Sequence, residues 1–236
     1  MNEATLYQHG TLALLVPGLL TGTLTMKELL THGDTGIGTG EGLDGELIIL
    51  DGKPYQVNSR GEVNVVPDSF TLPFANSHFA AYRPLMTVEN ATKEDLHDQV
   101  LGLTHDANTF FSILVTGTFT DVKTRAVAKS TRPFKSLAET AKQQSIFTRD
   151  KVEGTLLGYY SPQVFDGVAV GGYHDHFLAA ARDFGGHLLD FGTVTGDVQV
   201  QTFSTLEQHL PVEDQDYCEH DFSQDDIQGT IHQAEG

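Results

Sequence analysis

The chain has a single cysteine, Cys218, among its 236 residues. One thiol cannot form a disulfide within the chain, so nothing in the sequence requires an oxidising compartment. The acidic neighbours Asp216 and Glu219 disfavour the thiolate that a nucleophilic cysteine needs. The sequence therefore excludes a disulfide scaffold and does not favour cysteine catalysis.

Basic residues are also scarce. The chain contains 14 Lys and Arg against 32 Asp and Glu, which gives a formal net charge of −18. Because phosphate groups are bound by clustered Lys and Arg, we expect neither nucleic acid nor an anionic membrane surface as a partner. The acidic surplus is concentrated over residues 213–226 and predicts a solvated surface.

The sequence lacks a long hydrophobic run. The apolar segment 12–20 is interrupted by Pro17 and Gly18, and no lysine or arginine precedes Lys27. These features predict neither a signal peptide nor a membrane-spanning helix, and we expect a cytoplasmic protein. With 39% hydrophobic residues, 14 Phe and 7 Tyr, the composition is that of a globular chain.

Motifs for organic cofactors are absent as well. The glycine-rich segment 33–45 has no Gly-x-Gly-x-x-Gly that leads into a helix, and no Gly-Lys-Ser/Thr follows it. A Gly-x-Ser-x-Gly nucleophile elbow is also missing. The segment is either a loop that brings the backbone close to a ligand or a plain flexible connection.

Local signals predict several elements. Capping boxes that begin at Thr25, Thr92 and Ser136 each predict the start of a helix. An Asp-Gly turn at residues 51–52 predicts a β-hairpin, with Glu46 at the start of its first strand. Segments 6–20, 108–119 and 121–127 are predicted to be strands, and a short helix is expected over 224–234.

Two parts of the chain resemble each other. Gly10-Thr-Leu matches Gly154-Thr-Leu, and Gly45-Glu-Leu matches Gly186-His-Leu. We therefore expect an α+β (α/β) fold of two sheet-rich domains with mixed β-sheets that are related by internal duplication. The predicted N-terminal domain covers residues 1–145, and the C-terminal domain covers 146–236. Glu46 and His187 would then occupy equivalent strand starts.

Three histidines form the main candidate site. His174 and His176 lie two residues apart on a predicted strand, so both point to one face. Gly185 and Gly186 are expected to turn the chain back, which would bring His187 from a neighbouring strand. Three imidazoles with an open fourth position are typical of a catalytic zinc site. The alternative is three unrelated histidines among the eleven in the chain.

Two further side chains fit such a site. Arg125, on a predicted strand, could hold a substrate carboxylate, and Glu46 could transfer a proton. A metal ion would act as a Lewis acid. Zinc is favoured over iron, because non-haem iron sites commonly use two histidines and a carboxylate. This set of groups suits either decarboxylation of a β-keto acid type substrate or metal-assisted hydrolysis.

The sequence resembles the α-acetolactate decarboxylases over essentially its whole length. The most specific stretches are residues 27–52 and 171–191, together with Thr124-Arg125 and the terminal Ala234-Glu235-Gly236. The resemblance implies conversion of (S)-2-acetolactate to (R)-acetoin and carbon dioxide, with Zn²⁺ and no organic cofactor. It also implies two sheet-rich α/β domains and a homodimer.

The resemblance assigns roles to individual residues. It implies zinc ligands at His174, His176 and His187, acid/base and substrate-orienting groups at Glu46, Arg125 and Glu235, and a residue near the site at Thr39. It further implies an enediolate that the metal stabilises and that a glutamate protonates. Whether this glutamate is Glu46 or Glu235 stays open at this point.

Two other functions compete with the decarboxylase. The first is a zinc-dependent hydrolase of small esters or amides, in which the same histidines bind the metal and Glu46 activates water. The second is a non-catalytic metal-binding or ligand-binding module. A hydrolase would release no carbon dioxide from acetolactate, and a binding module would be insensitive to Glu46→Gln and Arg125→Ala.

Overall fold

The computed structural model describes the backbone of residues 4–235 and the side chains of residues 4–234. The strands are β1 (Thr5–His9), β2 (Leu24–Thr25), β3 (Thr35–Thr39), β4 (Glu46–Leu50), β5 (Lys53–Val57), β6 (Val63–Val65), β7 (Thr71–Leu72), β8 (Phe74–His78), β9 (Arg83–Ala91), β10 (Phe110–Ala126), β11 (Ser145–Ser161), β12 (Gly172–Ala179), β13 (Gly185–Asp190), β14 (Val194–Phe203) and β15 (Thr205–His209). The α-helices are α1 (Leu12–Leu15), α2 (Met26–Leu29), α3 (Lys93–Thr104), α4 (Leu137–Ala141), α5 (Gln215–Glu219) and α6 (Ile227–Glu235).

One sheet has seven strands in the order β15-β1-β8-β3-β4-β5-β6. Its edge strand β15 pairs in parallel with β1, whereas the other pairings are antiparallel. The hairpin of β4 and β5 forms on the predicted Asp51-Gly52 turn. The mixed sheet and the predicted hairpin are therefore both confirmed.

The other large sheet has six strands in the order β11-β12-β13-β10-β14-β9, all antiparallel. The long strand β10 also pairs with β11 along its length. Strands β10, β11, β12 and β13 are thus joined into a closed ring. This ring fixes β12 and β13, which carry the three candidate histidines, on both sides.

The two sheets do not follow the order of the chain. Strands β9 and β10 precede residue 145 but lie in the six-stranded sheet, and β15 follows residue 145 but lies in the seven-stranded sheet. The α+β class with mixed sheets is confirmed. The division into folding units at residue 145 and the internal duplication stay predictions.

Two clusters of the hydrophobic core lie near the site. Between the sheets, Ile48 and Val57 of the first sheet pack in one cluster with Leu157 and Leu178 of the second. A second cluster lies under three short helices, where α1, α4 and α6 contribute apolar side chains. We call these three helices the helical cap, and they cover one side of the candidate site.

The predicted helix starts are confirmed. Thr25, Thr92 and Ser136 each accept a hydrogen bond from the backbone N–H three residues later, and the acidic side chain at that position accepts one in return. These reciprocal bonds satisfy backbone donors that the first turn of a helix leaves unpaired. They explain why such short helices begin at fixed residues.

Three sequence predictions about local structure were wrong. Part of the apolar segment 6–20 forms helix α1 rather than a strand, because a short run buried on all sides shows no period that separates the two. The glycine-rich segment contains strand β3 instead of being a loop throughout. At Gly36 a Cβ atom would lie 2.2 Å from the carbonyl oxygen of Asn76, so glycine permits the close approach of strand β8.

The predicted turn at Gly185 and Gly186 was the third error. Both residues belong to strand β13, and the chain reverses over residues 180–184 instead. Gly186 has a φ of 128°, and a Cβ atom there would lie 2.5 Å from the carbonyl oxygen of Arg125. The glycine therefore lets β13 approach β10 closely, directly beside His187.

None of the helices described here combines the length and the apolar composition that a bilayer-spanning segment needs.

A buried histidine outside the candidate triad links folding to pH. His78 on β8 is 0% exposed, and its Nδ1 lies 2.8 Å from the Tyr159 hydroxyl. Burial lowers the pKa of His78 to about 3, although Asp34 opposes part of this shift. The folded protein therefore keeps this imidazole neutral.

We expect the free energy of unfolding to fall as the pH drops below about 6.5, the ordinary pKa of an unfolded histidine. Between this value and the lowered pKa the unfolded chain binds more protons than the folded protein does. Each pH unit of acidification in this range therefore lowers the free energy of unfolding by up to about 1.4 kcal/mol through His78. The full contribution is present above pH 6.5. Urea unfolding at several pH values should show that the free energy of unfolding changes less steeply with pH for His78→Gln than for the wild type. The exposed control His105→Asn should keep the wild-type slope, and equal slopes for both variants would contradict the linkage.

Candidate functional site

The pairing of two adjacent strands brings the three histidines together. His176 on β12 lies directly opposite His187 on β13, and His174 lies two residues earlier on the same face of β12. One ring nitrogen from each histidine lies within 4.8 Å of the other two. This triad could hold a metal ion.

One pair of ring nitrogens has the spacing of two ligands of a single metal ion. His174 Nε2 lies 3.2 Å from His187 Nδ1. Two ligands of a tetrahedral zinc site with bonds of about 2.0–2.1 Å lie about 3.3 Å apart. His176 Nδ1 lies 2.9 Å from the Leu47 carbonyl oxygen, to which it must donate its hydrogen. The Nε2 lone pair of His176 therefore faces the site, an orientation that metal-ligating histidines commonly receive from a backbone carbonyl.

The surroundings keep two of the three imidazoles neutral. Burial lowers the pKa of His174 to about 4, with a further decrease from Arg125 and opposition from Asp175. Burial, followed by Arg125 and the two other histidines, holds the pKa of His187 well below its ordinary value. Both rings are unprotonated at neutral pH, which leaves lone pairs for a metal ion.

Arg125 lies at the C-terminal end of β10, directly opposite His187 in the strand pairing. Its side chain is buried, with 7% exposed. Its Nη1 donates to Gln144 Oε1 at 3.2 Å and to the carbonyl oxygen of Ala234 in α6. The guanidinium is thus held beside the triad by the residues that follow α4 and by the end of α6.

Glu46 opens strand β4, as the sequence predicted, and pairs with Thr39 of β3. A carboxylate oxygen of Glu46 lies 3.6 Å from His176 Nε2, and 12% of the Glu46 side chain is exposed. The Thr39 hydroxyl donates to the Gly45 carbonyl oxygen at 2.8 Å. The two glycine-flanked strands therefore present a carboxylate to the triad.

These side chains line one cavity. Its polar wall is formed by Thr39, Glu46, Arg125, His174, His176 and His187. Its apolar wall is formed largely by Leu12, Leu15, Leu43, Phe74, Val127 and Leu137. The cavity thus places a cationic group, a carboxylate and a candidate metal site opposite hydrocarbon.

Glu235 is the remaining candidate site residue. It is the last residue of α6, and its side chain lies outside the described residues. The adjacent Ala234 lines the cavity. The roles that the resemblance implies for Glu46, Arg125, Glu235 and Thr39 stay predictions.

Sequence reasoning missed the contribution of the helical cap. Leu12 and Leu15 of α1 and Leu137 and Thr140 of α4 line the cavity. The capping box located the start of α4, but a helix of five residues is too short for a period that shows which face meets a ligand. The position of Gln144 as a partner of Arg125 had no sequence signal.

A family sequence model described as alpha-acetolactate decarboxylase matches residues 6–224. The chain belongs to the alpha-acetolactate decarboxylase family. The expected resemblance is thereby confirmed, and membership in the family makes the chain a carboxy-lyase.

Individual relatives agree with this membership. An alpha-acetolactate decarboxylase of Streptococcus thermophilus is 40% identical over 242 residues, with 100% of both chains covered. That of Lactococcus lactis subsp. cremoris is 36% identical over 242 residues, again with both chains fully covered. The crystal structure of alpha-acetolactate decarboxylase from Bacillus subtilis strain 168 is 32% identical and has a TM-score of 0.93, with 98% of this chain and 99% of that chain covered. These names support decarboxylation of acetolactate by the chain.

We expect His187→Ala to abolish stable metal binding, because two imidazoles remain where the site offers three. Purified protein should be loaded with zinc, dialysed and analysed for metal per chain by atomic emission. The wild type should retain about one ion per chain under conditions in which the variant retains almost none.

The control for this experiment is His105→Asn, which removes an exposed histidine outside the triad. It should retain zinc as the wild type does. Full zinc retention by His187→Ala would show that the metal is bound elsewhere.

Proposed function

We propose that the chain catalyses zinc-dependent decarboxylation of (S)-2-acetolactate to (R)-acetoin and carbon dioxide. The observation that carries this proposal is the convergence of three imidazoles, Arg125 and Glu46 on one cavity in a member of this family. A homodimer and a cytoplasmic location are part of the proposal. The family resemblance supports the dimer, and the lone cysteine is compatible with a reducing compartment.

The donor set of the triad fits zinc. Among the described residues the triad supplies three nitrogen ligands and neither a thiolate nor a fourth ligand, a donor set typical of catalytic rather than structural zinc sites. When bound, zinc would supply a Lewis acid that stabilises negative charge as it develops on substrate oxygen. His174, His176 and His187 would hold it, and the Leu47 carbonyl would keep the His176 ring in the required orientation.

Arg125 would orient the substrate and stabilise charge. A guanidinium pairs with a carboxylate through charge-assisted hydrogen bonds, which places the carboxylate of acetolactate beside the triad. When the bond between the carboxyl carbon and C2 breaks, its electron pair is left on the substrate as an enediolate. The buried positive charge of Arg125 would stabilise this anion more strongly than an exposed arginine could.

A glutamate would then deliver a proton to C2 of the enediolate. Glu46 is favoured for this role because its carboxylate lines the cavity within 3.6 Å of His176. Delivery from one face of a planar intermediate would set the configuration of acetoin. Glu235 stays the alternative donor, since α6 ends beside the cavity at Ala234.

The apolar wall would bind the hydrocarbon part of the substrate. The two methyl groups of acetolactate suit the leucine side chains of α1 and α4. The same side chains would exclude water, which strengthens the electrostatic interactions of Arg125 and Glu46. The helical cap would thereby define both the size and the polarity of the site.

We expect wild-type protein to accelerate acetoin and carbon dioxide formation from racemic acetolactate. Activity should be lost after stripping by a strong chelator and restored by zinc. Glu46→Gln should lower kcat by roughly 100-fold or more, because a positioned proton donor is removed, while zinc content stays unchanged. The exposed Glu153→Gln is the charge-matched control and should behave as the wild type.

The hydrolase alternative makes the opposite prediction. Zinc-replete protein that cleaves small esters or amides but releases no carbon dioxide from acetolactate would replace the decarboxylase proposal. A binding module would show neither activity.

Leu15 and Leu14 offer a matched test of the apolar wall, since both are buried residues of α1 but only Leu15 lines the cavity. Leu15→Ala should raise kcat/KM for the homologue with an ethyl group at C2, relative to acetolactate, by roughly 10-fold, the value of one methylene in a pocket. Leu14→Ala should lower stability by about 2–5 kcal/mol without changing this ratio. Equal ratios for both variants would show that α1 does not contact the substrate.

A further inference from the structure

A second cavity lies on the other side of Arg125, between α4 and α6. Its polar lining includes Lys142, Gln144, Thr230 and Gln233. We call this cavity the vestibule. It differs from the triad cavity in having no histidine among its described lining residues.

The vestibule and the triad cavity share a wall. Arg125, Ala141 and Ala234 line both of them. Two of the three are alanines, so the guanidinium is the largest side-chain group in the shared wall. Arg125 is therefore the charged group that the two cavities have in common.

The orientation of Arg125 depends on residues of the vestibule. Its Nη1 donates to Gln144 Oε1, and Gln144 itself lines the vestibule. The second acceptor, the Ala234 carbonyl oxygen, lies in α6 at the opposite side of the gap. The guanidinium thus bridges the gap between α4 and α6 where the two cavities meet.

Among the described lining residues, the charge of the vestibule is opposite to the net charge of the chain. The chain has 14 basic and 32 acidic residues, yet the charged side chains that line the vestibule within the described range are Arg125 and Lys142. Lys142 is exposed, at the end of α4. An anionic substrate approaching a protein with net charge −18 is repelled on average, and a local cationic cleft can reverse this.

We propose that the vestibule is the access route of the substrate, in which Lys142 binds the carboxylate of incoming acetolactate and transfers it to Arg125. This inference rests on the proposed function, because the anionic 2-hydroxy-3-oxo acid that enters is the substrate proposed there. Lys142 lies at the outer part of the route because it is exposed, and Arg125 lies at the inner part because it is buried and lines both cavities. The route involves no covalent step.

The test compares Lys142→Gln with Lys151→Gln in steady-state decarboxylation at low and high salt. Both variants change the net charge equally, but Lys151 lies exposed on β11 and does not line the vestibule. Lys142→Gln should raise KM for acetolactate roughly tenfold at low ionic strength, with kcat unchanged. The difference should disappear at high salt, where exposed charges are screened.

Lys142→Arg provides the rescue, because it keeps the positive charge and should restore the wild-type KM. If the wild type is active and Lys142→Gln has the same KM as Lys151→Gln, the access route through the vestibule is refuted and the proposed function is not. A rise in KM that persists at high salt or that Lys142→Arg does not reverse would also refute the access route, since it would show a structural effect. An inactive wild type would overturn the proposed function, and the vestibule would fall with it.

Discussion

The site depends on the register of three antiparallel strands. His187 is the shared member: it lies opposite His176 across one pairing and opposite Arg125 across the other. Because side chains alternate between the faces of a strand, a slip of one residue in either pairing would turn part of the set away from the cavity. The ring of β10, β11, β12 and β13 resists such a slip, since each strand pairs on two sides. Sheet closure and site assembly are thus one structural requirement.

Burial gives the triad its chemical character at a cost to folding. Removing His174 and His187 from water lowers their pKa values and leaves neutral donors, and the nearby guanidinium of Arg125 acts in the same direction. A protein without metal must therefore hold polar rings and a cation together in a cavity with an apolar wall. Hydrogen bonds from Arg125 to Gln144 and Ala234 and from His176 to Leu47 offset part of this cost.

Local rules predicted the parts of the fold that short-range interactions determine. The capping boxes at Thr92 and Ser136 and the Asp51-Gly52 hairpin depend on residues within a few positions of each other, so their sequence signals sufficed. The triad could be predicted from the sequence because His174 and His176 share a strand face. Helix α1 and the cavity-lining residues of the helical cap could not be predicted, since only tertiary packing distinguishes a buried helix from a buried strand. The misplaced turn at Gly185 had a related cause, because the glycine serves a close approach between strands rather than a reversal.

The parallel pairing of β1 with β15 has a consequence for the way the chain emerges from the ribosome. Each residue of β1 meets a partner 200 positions later, as Gln8 and Gln208 illustrate with their side-chain hydrogen bond. The seven-stranded sheet therefore cannot be completed until nearly the entire chain has been synthesised. Until then β1 presents an unpaired edge, which is prone to pairing with other chains. Such long-range contacts make folding slow, and a nascent chain interrupted before residue 205 lacks the strand that closes this edge.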